Sequence, residues 1–332
     1  MSTENGGNST LENLRNAGTN VVTDTGEFEL ISKFKPRDST TNPSLILAAT
    51  KNPNYASLID VAIDYAKAKG GTIEQQTNNA ADRLLVEFGK RITDLIPGVV
   101  STEVDARLSF DKKGTVDKAL QIIKLYEENG VSKDRVLIKI ASTWEGIQAA
   151  RELEAQHGIH CNLTLLFNFT QAVACAEANV TLISPFIARV LDWYKANTKN
   201  DYNIENHPGV LFVKKTYNYY KKHGYKTIIM GASFRTLDEI RALAGLDNAT
   251  LGIPLLENLQ NSTEKIDRVL TPEGAQKDGV DMITLIDDEA KYRYEFNSDA
   301  MAVEKLADGI RTFAKDTNTL YSLLRTKLEK AN

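Results

Sequence analysis

Eight short apolar runs rich in β-branched residues recur along this chain of 332 residues, and helical patterns lie between most of them. This alternation predicts parallel strands that are joined by helical crossovers. Eight such strands are the number that closes a (β/α)8 TIM barrel, so we predict this α/β fold, with a doubly wound open sheet as the alternative. The predicted strands span residues 19–23, 43–48, 99–104, 136–141, 161–167, 180–186, 226–232 and 249–255.

The intervening segments carry helix start and stop signals. Segments 117–130 and 145–158 have apolar residues at helical spacing and end in glycine. Ser-Thr-Trp-Glu at 142–145 and Thr-Leu-Asp-Glu at 236–239 each match a capping box directly after a predicted strand. The chain from about residue 300 onward predicts an extra C-terminal helix.

Composition limits the class of protein and its partners. A chain that is 42% hydrophobic and 25% charged is typical of a soluble globular protein. We expect one barrel domain over residues 1–332, with residues 1–11 as a flexible polar tail. The net charge of −4 argues against binding to nucleic acid or to an anionic membrane surface. Because no apolar stretch approaches the length of about 20 residues that a membrane span needs, no membrane association is expected.

Cysteine and histidine positions argue against a metal or redox site. Cys161 and Cys175 have neither metal-binding nor redox spacing, which favours a reduced, intracellular setting and hence the cytoplasm. His157 and His160 have no third ligand nearby in sequence, so we expect no metal.

One lysine, Lys139, interrupts the apolar run at 136–141. Burying an unpaired ammonium is costly, and the usual relief is loss of its proton, which leaves a neutral amine. A neutral amine attacks carbonyl carbons, as Schiff-base catalysis requires. The alternatives are an ion pair with a buried carboxylate, or a side chain that extends to solvent at the strand end. The run alone leaves these readings open.

Polar residues recur on single faces of other predicted strands. Alternate residues of a strand share a face, and the polar faces carry Ser101, Glu103 and Asp105, then Asn162 and Thr164, then Ser184 and Phe186. Asp24 and Asn42 flank the end of the first predicted strand and the start of the second. Glu103 and Asp24 could supply two acid–base groups with different roles.

The segment Met-Gly-Ala-Ser-Phe-Arg at 230–235 leads from the seventh predicted strand into a capped helix. Barrels commonly bind phosphate at this place, with backbone N–H groups, a hydroxyl and an arginine. Ser233 and Arg235 would supply the side chains, and Arg189 follows the sixth predicted strand.

Taken together, these motifs resemble the transaldolase family, and its fungal members most of all. The similarity runs from about residue 12 to the C-terminus. The motifs that carry it are DTGEFELI (24–31), TTNPSLIL (40–47), STEVDARLS (101–109), VLIKIASTWEGI (136–147), CNLTLLF (161–167), LISPF (182–186), RVLDWYKANT (189–198) and GASFR (231–235).

The resemblance implies a (β/α)8 barrel of the class I aldolase type that uses neither a metal nor an organic cofactor. It implies transfer of a dihydroxyacetone unit from sedoheptulose 7-phosphate to glyceraldehyde 3-phosphate, which gives erythrose 4-phosphate and fructose 6-phosphate. This reaction belongs to the non-oxidative pentose phosphate pathway. Family members are often dimers, so a homodimer is expected.

The resemblance also implies residue roles. Lys139 matches the Schiff-base lysine, and Asp24 matches the acid–base group for carbon–carbon cleavage. Glu103 and Thr164 match the pair that activates water during imine formation and hydrolysis. The matched substrate-binding residues are Asn42, Asn162 and Ser184 for the dihydroxyacetone hydroxyls, Arg189, Ser233 and Arg235 for phosphate, and Phe186 as an aromatic wall beside the lysine.

The chain departs from the family motifs at three places. Ala188 replaces the glycine of SPFVGR, Asn168 replaces the serine of TLLFSF, and Gly252-Ile253 replaces Ser-Pro of TISPALL. The alternatives to an active transferase are therefore a catalytically weakened paralogue with a binding or regulatory role, and a sugar-phosphate aldolase that releases free dihydroxyacetone.

Overall fold

The computed structural model describes residues 8–331, and eight parallel strands lie within them. The strands are β1 (Asn20–Asp24), β2 (Asp38–Thr40), β3 (Val100–Glu103), β4 (Val136–Ala141), β5 (Cys161–Leu166), β6 (Leu182–Pro185), β7 (Ile228–Gly231) and β8 (Asn248–Leu251). They form a closed barrel in the order β1 to β8. The predicted (β/α)8 fold is confirmed, and the open sheet is excluded.

Helices lie before the first strand, between consecutive strands and after the last one. Those in the described residues are α1 (Thr10–Asn16), α2 (Ile31–Phe34), α3 (Pro43–Ala49), α4 (Ala56–Lys69), α5 (Ile73–Thr93), α6 (Lys112–Glu128), α7 (Trp144–Glu152), α8 (Phe169–Glu177), α9 (Ala188–Asn197), α10 (Pro208–Lys222), α11 (Leu237–Ala242), α12 (Ile253–Asn261), α13 (Pro272–Asp278), α14 (Glu289–Asn297) and α15 (Ala300–Ala331). Across residues 8–331, no helix is both long and apolar enough to span a membrane.

The described chain groups into two compact units. Unit 1 contains the residues up to Asp24 together with Leu166–Lys305, and unit 2 contains Thr25–Leu165 together with the residues from Leu306 onward. Unit 2 therefore holds β2, β3, β4 and β5 as far as Leu165, whereas unit 1 holds β1, β6, β7 and β8. The organisation as one domain stays a prediction.

The predicted second strand at 43–48 is wrong. This run forms helix α3, and the actual second strand is the short segment Asp38–Thr40. Asn42 is the N-cap of α3 and Pro43 is its first residue, which is where proline favours a helix start. A short apolar run such as Leu45–Leu47 fits a buried strand and a buried helix equally well. The Asn-Pro helix start that precedes it is the feature that indicates a helix.

The predicted caps are correct in one case and shifted in the other. Thr236 and Glu239 form the predicted capping box at α11. At α7, however, the N-cap is Thr143, whose side chain accepts from the N–H of Gly146. The hydroxyl of Ser142, the residue before this cap, donates to the carbonyl of Thr164 at 2.7 Å.

The predicted C-terminal helix is present as α15. In unit 2, its residues Leu320, Leu324 and Leu328 are buried in one apolar cluster with residues of α4 and α5. Their spacing of four places them on a single helix face. At the other end of the chain, α1 begins at Thr10, which is fully buried, so residues 10 and 11 do not belong to the expected tail. Residues 1–7 of that tail lie outside the described residues.

Candidate active site

Three neighbouring strands of unit 2 bring four predicted site residues into register. Glu103 on β3 lies opposite Lys139 on β4, and Lys139 lies opposite Asn162 on β5. Thr164 lies two residues further along β5, opposite Ala141. All four polar side chains are buried. Because residues two apart share a face of a strand, the polar groups form one cluster rather than scattered substitutions in the core.

The Lys139 amine lies inside this cluster. Its Nζ donates to the carbonyl oxygen of Thr41 at 3.2 Å and is 3.7 Å from Oε2 of Glu103. The lysine side chain is only 7% exposed, so it does not extend to solvent. The ion-pair alternative is thus realised, but it does not exclude reactivity. A carboxylate at this distance can accept, directly or through one water, the proton that an amine loses before it attacks a carbonyl.

Thr164 presents a hydroxyl that the protein leaves available. Its Oγ1 is buried and has no hydrogen-bond partner within residues 8–331. Its backbone carbonyl is fixed instead, by hydrogen bonds from the N–H and the hydroxyl of Ser142 at 2.8 and 2.7 Å. Leaving a buried hydroxyl unsatisfied costs about 1–3 kcal/mol, which a bound water or sugar hydroxyl would recover.

The residue after Thr164 has a strained backbone. Leu165 has a φ of 52°, a left-handed conformation that a bulky residue in a strand rarely adopts. Its fully buried side chain packs on Gly309 of α15, where an added Cβ would lie 2.6 Å from Cδ2 of Leu165. Strain of this kind costs on the order of 1–3 kcal/mol and concentrates at functional sites. It marks the end of β5 as a constrained part of the cluster.

Two predicted substrate-binding amides already make protein contacts. Nδ2 of Asn162 donates to the Ser101 hydroxyl at 3.0 Å. Oδ1 of Asn42 accepts from the N–H of Leu45 at 2.9 Å as the cap of α3. The expected place of Asn42 at the start of a strand was wrong, since it follows the C-terminal end of β2. That end of a barrel strand is where catalytic and binding residues lie.

Unit 1 carries the other predicted residues. Asp24 is the last residue of β1 and is partly buried. Ser184 is buried on β6, and Phe186 follows the end of that strand. The Phe186 ring packs edge-on against Phe167, with ring centroids 5.4 Å apart. These two rings make an apolar wall at the end of β6.

The predicted phosphate residues lie close to this wall or on the loop after β7. The guanidinium carbon of Arg189 is 5.0 Å from the centroid of the Phe186 ring. Ser233 has a φ of 59°, and its carbonyl accepts from the N–H of Ala188 at 3.2 Å. The strained loop is therefore tied to the first turn of α9, the helix that carries Arg189.

Arg235 has a partner that the sequence did not reveal. Its guanidinium forms a two-pronged ion pair with Asp192 of α9, in which Nη2 lies 2.6 Å from Oδ2. Hydrogen bonds from Arg235 hold the pKa of Asp192 below its usual value. In the sequence, the one hint of this ion pair is that Asp192 lies three residues after Arg189 on the same helix, near the predicted phosphate site. A phosphate bound at Arg235 would share this guanidinium with Asp192.

The three departures from the family motifs fit the local structure. Ala188 is the first residue of α9 and has a negative φ, so alanine is tolerated without strain. Asn168 caps α8 and also donates to Asp299 at 3.2 Å. Gly252 precedes α12 without a side-chain cap, so a hydroxyl is lost there. None of the three removes a predicted catalytic group.

The contribution of the Lys139–Glu103 pair to the free energy of unfolding can be tested. Lys139→Met removes the ammonium beside a buried carboxylate, so we expect a loss of about 3 kcal/mol in the free energy of unfolding at neutral pH. The double variant Lys139→Met/Glu103→Gln should regain most of that loss, since no charge is then stranded. Urea unfolding of the wild type, both single variants and the double variant measures the coupling. A double variant whose loss equals the sum of the two single losses would show that the pair contributes little.

Comparison with known proteins places this chain in a family. Residues 21–324 match the model of the family described as transaldolase/fructose-6-phosphate aldolase. The chain is 64% identical to a transaldolase of Saccharomyces cerevisiae, over 97% of this chain and 96% of that protein. It is 59% identical to a transaldolase of Schizosaccharomyces pombe (97% and 99% covered) and 57% identical to one of Rattus norvegicus (94% and 93% covered). The chain belongs to the transaldolase/fructose-6-phosphate aldolase family.

Proposed function

We propose that this protein is a transaldolase of the non-oxidative pentose phosphate pathway. It moves a dihydroxyacetone unit from sedoheptulose 7-phosphate to glyceraldehyde 3-phosphate, and it releases erythrose 4-phosphate and fructose 6-phosphate. Identities of 54–64% to proteins named transaldolase, over nearly the whole chain, support the proposal. The observation that carries it is the buried Lys139 amine beside the Glu103 carboxylate.

The first proposed step is Schiff-base formation on Lys139. The neutral amine attacks the C2 carbonyl of the ketose, and the resulting carbinolamine loses its hydroxyl as water. Glu103 transfers protons to and from that water, which the Thr164 hydroxyl orients. The buried and otherwise unsatisfied Oγ1 of Thr164 is consistent with this role.

The second step is cleavage of the C3–C4 bond. Asp24 takes the proton of the C4 hydroxyl, the bond electrons move into the iminium to form an enamine, and the aldehyde product leaves. Addition to glyceraldehyde 3-phosphate reverses these movements, and Asp24 returns the proton. A carboxylate at the C-terminal end of a barrel strand suits this role, because reacting groups lie at that end.

Substrate binding divides between hydroxyl and phosphate contacts. Asn42, Asn162 and Ser184 hold the dihydroxyacetone hydroxyls, while Arg189, Ser233 and Arg235 bind the phosphate. The Asn42 amide is consistent with donation to a hydroxyl, because its oxygen is already used by the cap of α3. Charge-assisted contacts with arginine suit the phosphate group.

The enamine must persist until the acceptor arrives. An aldolase protonates the nucleophilic carbon of the enamine and then hydrolyses the resulting imine, which releases free dihydroxyacetone. We propose that the apolar Phe186 ring, backed by Phe167, keeps water from the intermediate and so favours transfer. We further propose a cytoplasmic homodimer that uses neither a metal nor an organic cofactor and binds neither nucleic acid nor membrane.

A coupled assay tests the function against its alternatives. Erythrose 4-phosphate formation from sedoheptulose 7-phosphate is measured with and without glyceraldehyde 3-phosphate. We expect turnover only with the acceptor. Release of dihydroxyacetone without an acceptor would instead support an aldolase, and the absence of both activities would support a weakened paralogue with a binding role.

Variants of the two carboxylates should differ in the step that they slow. Asp24→Ala should still form the imine on Lys139, trapped by borohydride, but should turn over about 10²–10⁴-fold more slowly. Glu103→Ala should slow imine formation itself, because its water takes part in dehydration. Rapid-quench trapping with fructose 6-phosphate measures both rates. Equal trapping rates in the two variants would contradict this division of roles.

A further inference from the structure

Two buried polar residues of unit 1 lie outside the proposed site: Glu239, which contacts Arg235, and His207, which contacts Glu239. Glu239 is 3% exposed and His207 is 4% exposed. Glu239 lies in the first turn of α11, and His207 is the N-cap of α10. Burying a charged carboxylate is costly unless it is well paired. The contacts of the Glu239 carboxylate therefore indicate its role in the structure.

Glu239 holds the backbone of Arg235. Its Oε2 accepts from the N–H of Arg235 at 2.7 Å and from the N–H of Thr236 at 3.2 Å. The Thr236 contact is the ordinary return half of a capping box. The shorter Arg235 contact lies outside that box, so the carboxylate fixes one residue more than the helix needs.

His207 orients this carboxylate. Its Nδ1 accepts from the N–H of Gly209 and of Val210, at 3.1 and 3.2 Å, so Nδ1 carries no proton. The ring proton must then sit on Nε2, which donates to Oε1 of Glu239 at 3.2 Å. The pair is a hydrogen bond between a neutral imidazole and a carboxylate, and its direction is set by the cap of α10.

The carboxylate is charged in this setting. Burial alone would raise its pKa, but hydrogen bonds from His207 and from the N–H groups of Arg235 and Thr236 hold the pKa of Glu239 below its usual value. Both carboxylate oxygens therefore accept from fixed donors.

The segment that Glu239 holds needs such support. Ser233, two residues before Arg235, has a left-handed φ of 59°. A serine in that conformation persists only when its surroundings hold it there. At the other end of the arginine, Asp192 holds the guanidinium. Arg235 is thus fixed at its backbone by Glu239 and at its side-chain end by Asp192.

We propose that Glu239, oriented by His207, is a positioning residue that holds Arg235 for binding the phosphate group of the substrate. This inference rests on the proposed function, because it assumes that Arg235 meets a phosphate. Glu239 itself does not contact the substrate.

Glu239→Gln tests the inference with little change of size. A glutamine can keep its oxygen toward Arg235, but its NH2 group then meets the Nε2 proton of His207. Moving that proton to Nδ1 would break the cap of α10. We expect KM for fructose 6-phosphate to rise about tenfold, with kcat within about threefold and KM for unphosphorylated glyceraldehyde unchanged.

Two further variants separate positioning from folding. Asp238→Asn removes a neighbouring, exposed carboxylate of α11 that pairs with Arg241 instead, so its kinetics should match the wild type. His207→Asn keeps an N-cap residue on α10 but is too short to orient Glu239, so it should share the KM effect. Circular dichroism and thermal melting establish that each variant is folded, and His207→Asn serves as the test if Glu239→Gln is not.

A binding experiment decides the inference separately from the proposed function. Calorimetry measures inorganic phosphate binding to the wild type, Arg235→Ala, Glu239→Gln and His207→Asn. We expect Glu239→Gln and His207→Asn to bind phosphate more weakly than the wild type, as Arg235→Ala does. The loss of affinity should be about tenfold for Glu239→Gln. Wild-type affinity in both, or no phosphate binding at Arg235 at all, would overturn the inference. A wild type that binds phosphate but lacks acceptor-dependent turnover would refute only the proposed function.

Discussion

The contact between the Lys139 amine and the Glu103 carboxylate, 3.7 Å apart and nearly excluded from solvent, is the constraint around which unit 2 is organised. A lone charge at either position would be strongly unfavourable, so each residue requires the other. Parallel register meets that requirement, since β3 and β4 place the two residues directly opposite each other. The proposed chemistry uses the same contact, because an amine must lose its proton to a nearby base before it attacks a ketose.

Strained backbone lies close to proposed site residues within each unit. Leu165 directly follows Thr164 in unit 2, and Ser233 lies two residues before Arg235 in unit 1. Gly309 leaves room for the Leu165 side chain, and the N–H of Ala188 donates to the Ser233 carbonyl. Local preference alone would favour other conformations at both residues. The fold maintains these left-handed conformations at places where a neighbouring side chain must have a defined orientation as well as being buried.

The sequence predicts the barrel, the buried lysine and the partners on adjacent strands, because strand alternation and the cost of burying charge are local rules. It fails at residues 43–48, where a short apolar run fits both a strand and a helix and only the Asn42 cap distinguishes them. It also fails to reveal that Asp192 reaches Arg235, or that His207 reaches Glu239 from 32 residues away. Such contacts depend on how the helices pack against each other, and short sequence motifs do not predict that packing.

Chemical trapping tests the central claim most directly. The protein is incubated with fructose 6-phosphate and borohydride, digested, and its peptides are mapped by mass spectrometry. The account predicts one reduced dihydroxyacetone unit on Lys139 and none on Lys139→Met. An adduct on a different lysine of the wild type, or no donor-dependent adduct from a protein that turns over substrate, would contradict it.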